Sequence, residues 1–158
     1  MSTGEAGTVA MRPVGHVRGG RAEPIDDDWG AVEATIVLEP PFDERSVAGL
    51  EAFSHLEVVY LFDRVDPGAV HVGARVPRSN PAWPSVGIFA QRAKDRPNRI
   101  GLSVCELLAV AGTTLAVRGL DAIDGTPVLD LKPYMAEFGP RGTVRQPPWS
   151  HELMVRYY

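Results

Sequence analysis

Apolar and polar residues alternate in short runs, and proline or glycine interrupts them every few positions. This pattern predicts strands and turns rather than long helices. Across residues 31–38, Val32, Ala34, Ile36 and Leu38 recur with a period of two, the spacing of a half-buried strand. Residues 56–62 are apolar on nearly both faces, with Glu57 the exception, which describes a strand covered on each side. Further strands are expected over residues 70–76, 86–90, 102–110 and 115–120, with Gly112, Thr113 and Thr114 turning the chain between the last two. Helix is expected only over residues 44–53 and 150–156. Six or seven short strands without alternating helices predict a mainly β fold: a small closed β-barrel, antiparallel or mixed, with one or two short helices.

Composition adds bounds to that picture. A chain of 158 residues, 44% of them hydrophobic, is expected to form one globular domain over residues 11–158. Residues 1–10 are small and polar, and read as a disordered tail without the basic and apolar regions of a secretory signal. No apolar run approaches the roughly twenty residues that span a bilayer, so no membrane partner is expected. The single cysteine, Cys105, excludes an intramolecular disulfide and a cysteine cluster for zinc, and the cytoplasm is the natural compartment. His16, His55, His71 and His151 lack metal-ligand spacing, and Asp26, Asp27 and Asp28 read as a solvated acidic turn, so no metal is expected.

Formal net charge is −4, yet Arg92, Lys94, Arg96 and Arg99 place four cations within eight residues, between two apolar runs. Pro97 fixes one backbone angle and disfavours helix at Arg96, so the loop is stiff. A stiff cationic loop suits an anionic ligand; a solvated connection has the same composition.

Four blocks remove that ambiguity: Pro13-Val14-Gly15-His16-Val17-Arg18; Gly49-Leu50-Glu51-Ala52-Phe53-Ser54-His55-Leu56; the cationic loop with its flanks over residues 86–108; and residues 120–134, which include Asp124-Gly125-Thr126-Pro127. In this order and spacing they resemble the TsaA-like family, to which the TrmO-type tRNA methyltransferases belong. The resemblance implies a small β-barrel that pairs into a homodimer, with S-adenosylmethionine bound near the subunit interface. The glycine-rich loop of doubly wound methyltransferases is missing from the chain, so residue pattern alone does not suggest methyl transfer.

By that resemblance, Arg92 faces the methionine carboxylate, where a guanidinium can pair in bidentate fashion. Leu102 packs on the adenosine, and Asp124, Gly125, Thr126 and Pro127 wrap the adenine and ribose. Asp63 and Arg64 form a polar pair near the cofactor, with a salt bridge from Asp63 to Arg64 or Arg92 as the competing reading. Lys94, Arg96, Asn98 and Arg99 are the substrate-binding candidates, extended by Lys132 and accompanied by Trp83 and Phe89 as aromatic platforms for bases. Asp124, Asp130 and Tyr134 are the candidate proton acceptors, and sequence does not choose among them.

Four departures from the family pattern bear on the acceptor. Asp63 stands where a histidine is usual, residues 19–28 replace a Pro-Arg-Gln triplet, Arg99 replaces a proline, and the chain ends at Tyr158 where TrmO-type enzymes often continue. Three readings follow: a methyltransferase acting on threonylcarbamoyl-adenosine beside the tRNA anticodon, a methyltransferase of the same fold with a small-molecule or other acceptor, and a cofactor-binding or interaction module without turnover.

Overall fold

The computed structural model describes residues 7–158. Most of the expected N-terminal tail, residues 1–6, lies outside the described residues, while residues 7–10 are exposed and belong to no strand or helix.

Eight strands occur in chain order: β1 (Gly15–Arg18), β2 (Glu33–Leu38), β3 (His55–Leu61), β4 (Ala74–Arg75), β5 (Val86–Gly87), β6 (Ile100–Ala111), β7 (Thr114–Arg118) and β8 (Pro127–Pro133). Six of them close into a barrel in the order β1-β2-β7-β6-β3-β8, every pairing antiparallel. The seam is the short β1–β8 pairing, Gly15 to Val128 and His16 to Pro127. One α-helix, α1 (Pro148–Met154), follows the barrel. Among the described residues no helix is long and apolar enough to cross a membrane.

Period-two alternation builds the core directly. Ala34, Ile36 and Leu38 of β2, Leu56, Val58 and Tyr60 of β3, and Leu115 and Val117 of β7 point inward and are buried. Each such aliphatic side chain contributes about 1.5–3 kcal/mol of burial. Cys105 of β6 joins this core. The opposite face of β3 is half-buried rather than covered, because Glu57, Val59 and Leu61 lie on the outside of the barrel.

Three expectations need correction. Residues 44–53 form two 3₁₀ turns, Glu44–Val47 and Leu50–Ala52, because Gly49 between them takes φ +87°. Residues 70–76 and 86–90 supply only the two-residue pair β4–β5, outside the barrel. Pro77, Pro81 and Pro84 between them lack the N–H groups that a longer ladder needs. The resulting lobe is fixed instead by side chains: Arg75 grips Asp95 with both guanidinium ends, and the buried Gln91 amide donates to the carbonyls of Arg75 at 3.0 Å and Val86 at 2.9 Å.

Candidate cofactor site

The antiparallel register gathers the candidate residues at one rim of the barrel. β3 ends at Leu61, opposite Ile100 at the start of β6. On its other side, Tyr60 of β3 pairs with Val128, one residue into β8. The segment after β3 with Asp63 and Arg64, the cationic loop before β6, and the turn Asp124–Pro127 before β8 therefore all leave the barrel at the same end. Neighbouring strands lie about 4.8 Å apart, so β6 and β8 flank β3 across roughly 10 Å.

Arg92 is exposed, and its Nη2 donates to the carbonyl of Leu102 at 2.7 Å. That bond ties two of the candidates together and leaves the other donors of the planar fork open. The Leu102 side chain points outward and is 46% exposed, an apolar surface beside the guanidinium. Close approach also governs Gly101: a Cβ there would stand 2.4 Å from the Tyr60 ring.

The second half of the rim is a locked turn. Asp124 Oδ1 accepts from the Gly19 N–H at 2.9 Å, and the Asp124 N–H donates to the Arg21 carbonyl at 2.7 Å. The Gly125 N–H donates to the Val17 carbonyl at 2.7 Å, and the Thr126 hydroxyl donates to the Ile123 carbonyl at 2.7 Å. Gly125 has φ +87° and open space where a Cβ would be. These bonds bring the altered segment 19–28 against the turn. Within that segment Arg21 stacks on Trp29 at 4.4 Å and donates to the carbonyls of Asp27, at 2.5 Å, and Asp28. Asp27 pairs with Arg78 at 3.0 Å and Asp28 with Arg156 at 3.6 Å, so the acidic turn is held by arginines. Among the described residues no cluster of histidine, cysteine, aspartate or glutamate could hold a metal.

Asp63 and Arg64 are exposed and do not pair with each other. Arg64 donates to the Ala22 carbonyl at 3.2 Å, and Asp63 makes no ion pair among the described residues. In the cationic loop, Lys94 and Asn98 are exposed, and Asn98 and Arg99 take φ +62° and +50°. Arg96 Nη1 donates to the Gln91 carbonyl at 2.7 Å, and Arg99 Nη1 to the Val65 carbonyl at 2.7 Å. Both arginines thus shape the loop from within. Trp83 donates from its indole to Glu152 Oε2 at 2.7 Å, whereas Phe89 is 80% exposed.

The three candidate proton acceptors are separated by the fold. Asp124 is at the rim. Asp130 lies along β8, opposite Val59, paired with Lys132 at 3.3 Å, and borders an open cleft of about 510 Å³ that includes Leu38, Val47, Leu50 and Phe53. Tyr134 lies beyond the far end of β8, where its N–H donates to the His55 carbonyl at 2.9 Å. Seven residues of strand separate it from Pro127, roughly 23 Å.

Just inside the rim is a cluster that linear spacing does not reveal. Asp121 accepts from the Tyr60 hydroxyl at 2.9 Å through Oδ1 and from the Tyr157 hydroxyl through Oδ2. Burial, and then the Asp121 charge, push both hydroxyls well above the usual tyrosine range. Burial likewise pushes the Cys105 thiol up to about 12, with Asp121 adding to the effect. The Arg92 charge works in the opposite direction on Tyr157 and Tyr158, more weakly than burial. Only the position of Asp121 inside a recognised block, residues 120–134, hinted at this; nothing in the order of the chain links residues 60, 121 and 157.

A guanidinium with free donors, an exposed leucine, and a rigid turn with backbone groups and a carboxylate match an amino-acid carboxylate at one end and a nucleoside at the other. The arrangement therefore fits S-adenosylmethionine.

Comparison with known proteins agrees. The family described as the tRNA-methyltransferase O N-terminal domain matches residues 22–139. The chain is 36% identical over 142 residues to a probable S-adenosyl-L-methionine-binding protein of Pyrococcus abyssi, covering 87% of this chain and 74% of that one. It is 39% identical over 104 residues to the human tRNA (adenine(37)-N6)-methyltransferase, covering 66% of this chain but 23% of the human protein. The crystal structure of TrmO from Pseudomonas aeruginosa superimposes with a TM-score of 0.70 at 31% identity, covering 87% of this chain and 61% of that one. The chain belongs to the tRNA-methyltransferase O N-terminal domain family, a family of S-adenosylmethionine-dependent methyltransferases.

Proposed function

We propose that this chain transfers a methyl group from S-adenosylmethionine to the exocyclic amine of threonylcarbamoyl-adenosine beside the tRNA anticodon. The observation that carries the reading is the convergence of Arg92, Leu102 and the Asp124–Pro127 turn on one rim of the barrel, in a chain of this family. Bound there, the cofactor supplies an electrophilic sulfonium methyl. Arg92 pairs with its carboxylate, Leu102 packs on the adenosine, and Asp124, Gly125, Thr126 and Pro127 enclose the adenine and ribose. Asp63 places negative charge near the sulfonium, and Arg64 braces the loop of residues 19–28 through Ala22.

Methyl transfer of this kind is an in-line displacement, and correct alignment of the two atoms contributes about 7–11 kcal/mol at best without a strong acid or base. Asp124 takes the proton from the acceptor nitrogen: its Oδ1 is held by Gly19, which leaves Oδ2 free for the purpose. Lys94, Arg96, Asn98 and Arg99 border the acceptor side. A second copy of the chain covers the outer face of β3 and β6, where Leu102 and Val104 are exposed, so that the cofactor lies near the subunit interface. The tRNA acceptor places the reaction in the cytoplasm.

One observation favours a different acceptor on the same fold. Arg96 and Arg99 are engaged with backbone carbonyls, and the acidic turn of residues 26–28 packs near the rim, which suits a small or less anionic molecule.

Calorimetric titration with S-adenosylmethionine and with its demethylated product, followed by mass spectrometry of nucleosides from tRNA incubated with enzyme and cofactor, tests the proposal. The expected result is saturable binding of both and a 14-dalton gain on threonylcarbamoyl-adenosine. Cofactor binding with an unmodified tRNA pool points to the small-acceptor reading. Cofactor binding without label transfer to any acceptor leaves a binding module, and no binding at all overturns the assignment.

A further inference from the structure

The segment between the end of the barrel and α1 is unlike the rest of the chain. The Gly139 N–H donates to the Ala136 carbonyl at 3.0 Å, and the next backbone bond is from Ser150 to Pro147 at 3.1 Å. Residues 140–146 lie between these bonds and are all exposed. Both ends are anchored. Upstream, Tyr134 is bonded to His55; downstream, Glu152 accepts from Trp83, and the carbonyls of Arg156 and Tyr157 accept from Asp28 and Trp29, each at 2.8 Å. The result is a strap held at its ends and free along its length. Past residue 139 it lies beyond the residues that the family matches.

Its charge is equally distinctive. No acidic residue occurs between Glu137 and Glu152, whereas Arg141 and Arg145 do. Several other arginines are engaged, Arg75 with Asp95, Arg78 with Asp27, Arg118 with Glu33 and Glu106, and Arg96 and Arg99 with carbonyls, while Arg12 and Arg18 are exposed singly and Arg92 keeps free donors at the rim. Arg141 and Arg145 have no acidic partner among the described residues. They stand four residues apart with Gly142 between them at φ +83°, so the chain bends from one arginine to the other. Phe138 at the head of the strap is 80% exposed, a flat apolar surface of the type on which unpaired bases stack.

We propose that residues 138–147 grip the sugar–phosphate backbone of the RNA acceptor, with Arg141 and Arg145 on phosphates and Phe138 stacked on an unpaired base. The inference rests on the tRNA reading above. It helps a chain of net charge −4 hold a polyanion: the strap adds two cations, with no carboxylate between Glu137 and Glu152, to those of the loop before β6.

The test is binding of a fluorescent anticodon stem-loop RNA to the full chain across a series of KCl concentrations. Relative to wild type, the double variant Arg141→Gln, Arg145→Gln should reduce the slope of log affinity against log salt by about 1.4–1.8, from 0.7–0.9 per phosphate contact. Phe138→Ala should weaken binding about 5- to 150-fold without changing the slope. All three proteins should keep their melting temperature and their affinity for S-adenosylmethionine. A wild-type chain that binds RNA with a slope the double variant leaves unchanged overturns the strap alone. A wild-type chain that binds the cofactor but no RNA overturns the strap and the tRNA reading together. A double variant that shifts the monomer–dimer equilibrium in sedimentation at constant slope assigns the strap to a protein interface and overturns the inference.

Discussion

Removing the Tyr60 hydroxyl tests the clasp inside the barrel rim. Tyr60 is 2% exposed, and its hydroxyl meets Asp121 Oδ1 at 2.9 Å, so Tyr60→Phe leaves a partly buried carboxylate oxygen without that donor. Hydrogen bonds to a charged group contribute about 1.5–3 kcal/mol, and a loss in that range is expected. Tyr157 is only half-buried, and Tyr157→Phe should cost about 1 kcal/mol because solvent can replace its hydroxyl. The two hydroxyls share one carboxylate, so the double variant should lose more than the sum of the singles by about 0.5 kcal/mol or more. Urea unfolding followed by tryptophan fluorescence measures all four proteins, with the buried Trp29 as reporter. The same proteins should differ in alkali. Burial raises both tyrosines, so the native state keeps protons that the unfolded chain releases near pH 10. Stability is therefore intact below about pH 10 and declines above it, less steeply in Tyr60→Phe. A Tyr60→Phe loss under 0.5 kcal/mol, with strictly additive singles, would refute the clasp.

Three other outcomes are expected. Arg92→Ala should weaken S-adenosylmethionine binding about 10- to 150-fold by calorimetry, the equivalent of roughly 1.5–3 kcal/mol, with an unchanged melting temperature; equal affinity would remove Arg92 from the site. Gly101→Ala should destabilise the domain by about 1–3 kcal/mol, lowering Tm by several degrees, because its methyl meets the Tyr60 ring and that ring is fixed by Asp121. Cys105, buried and with its thiol pushed up to about 12, should resist a disulfide reagent at pH 8 in the native state and react at once in urea; rapid labelling of folded protein would contradict its placement.

How far the fold could be read from the sequence depended on how many inward residues each strand has. β2, β3 and β7 have two or three buried side chains at a period of two, and the first half of β6 adds Ser103 and Cys105, so alternation marks them. β1 spans only four residues, two of them buried, and β8 begins and ends in proline with Asp130 and Lys132 between. Neither carries enough periodic signal on its own; closure of the barrel, not local propensity, makes them strands. Gly49, at φ +87°, splits the helix expected over residues 44–53 into two short turns. At the site, the residues near Arg92 and Asp124 were legible as family blocks. The Asp121 clasp was not, because its three members lie in β3, in a loop and beyond α1, and only tertiary packing brings them together.

The β1–β8 seam has a consequence for the order in which this molecule comes into being. Gly15 must find Val128, and Gly19 must find Asp124, across more than a hundred intervening residues. Loop closure over such distances is among the slowest steps of β-sheet folding. During synthesis on the ribosome, β1 can pair with β2 early, but its seam with β8 waits until residue 128 has emerged. The rim that carries the Asp124 turn is therefore completed together with the seam. Under the proposed assignment, a cofactor held between Arg92 and that turn binds only the closed barrel, so its presence in the cell also selects for the finished protein.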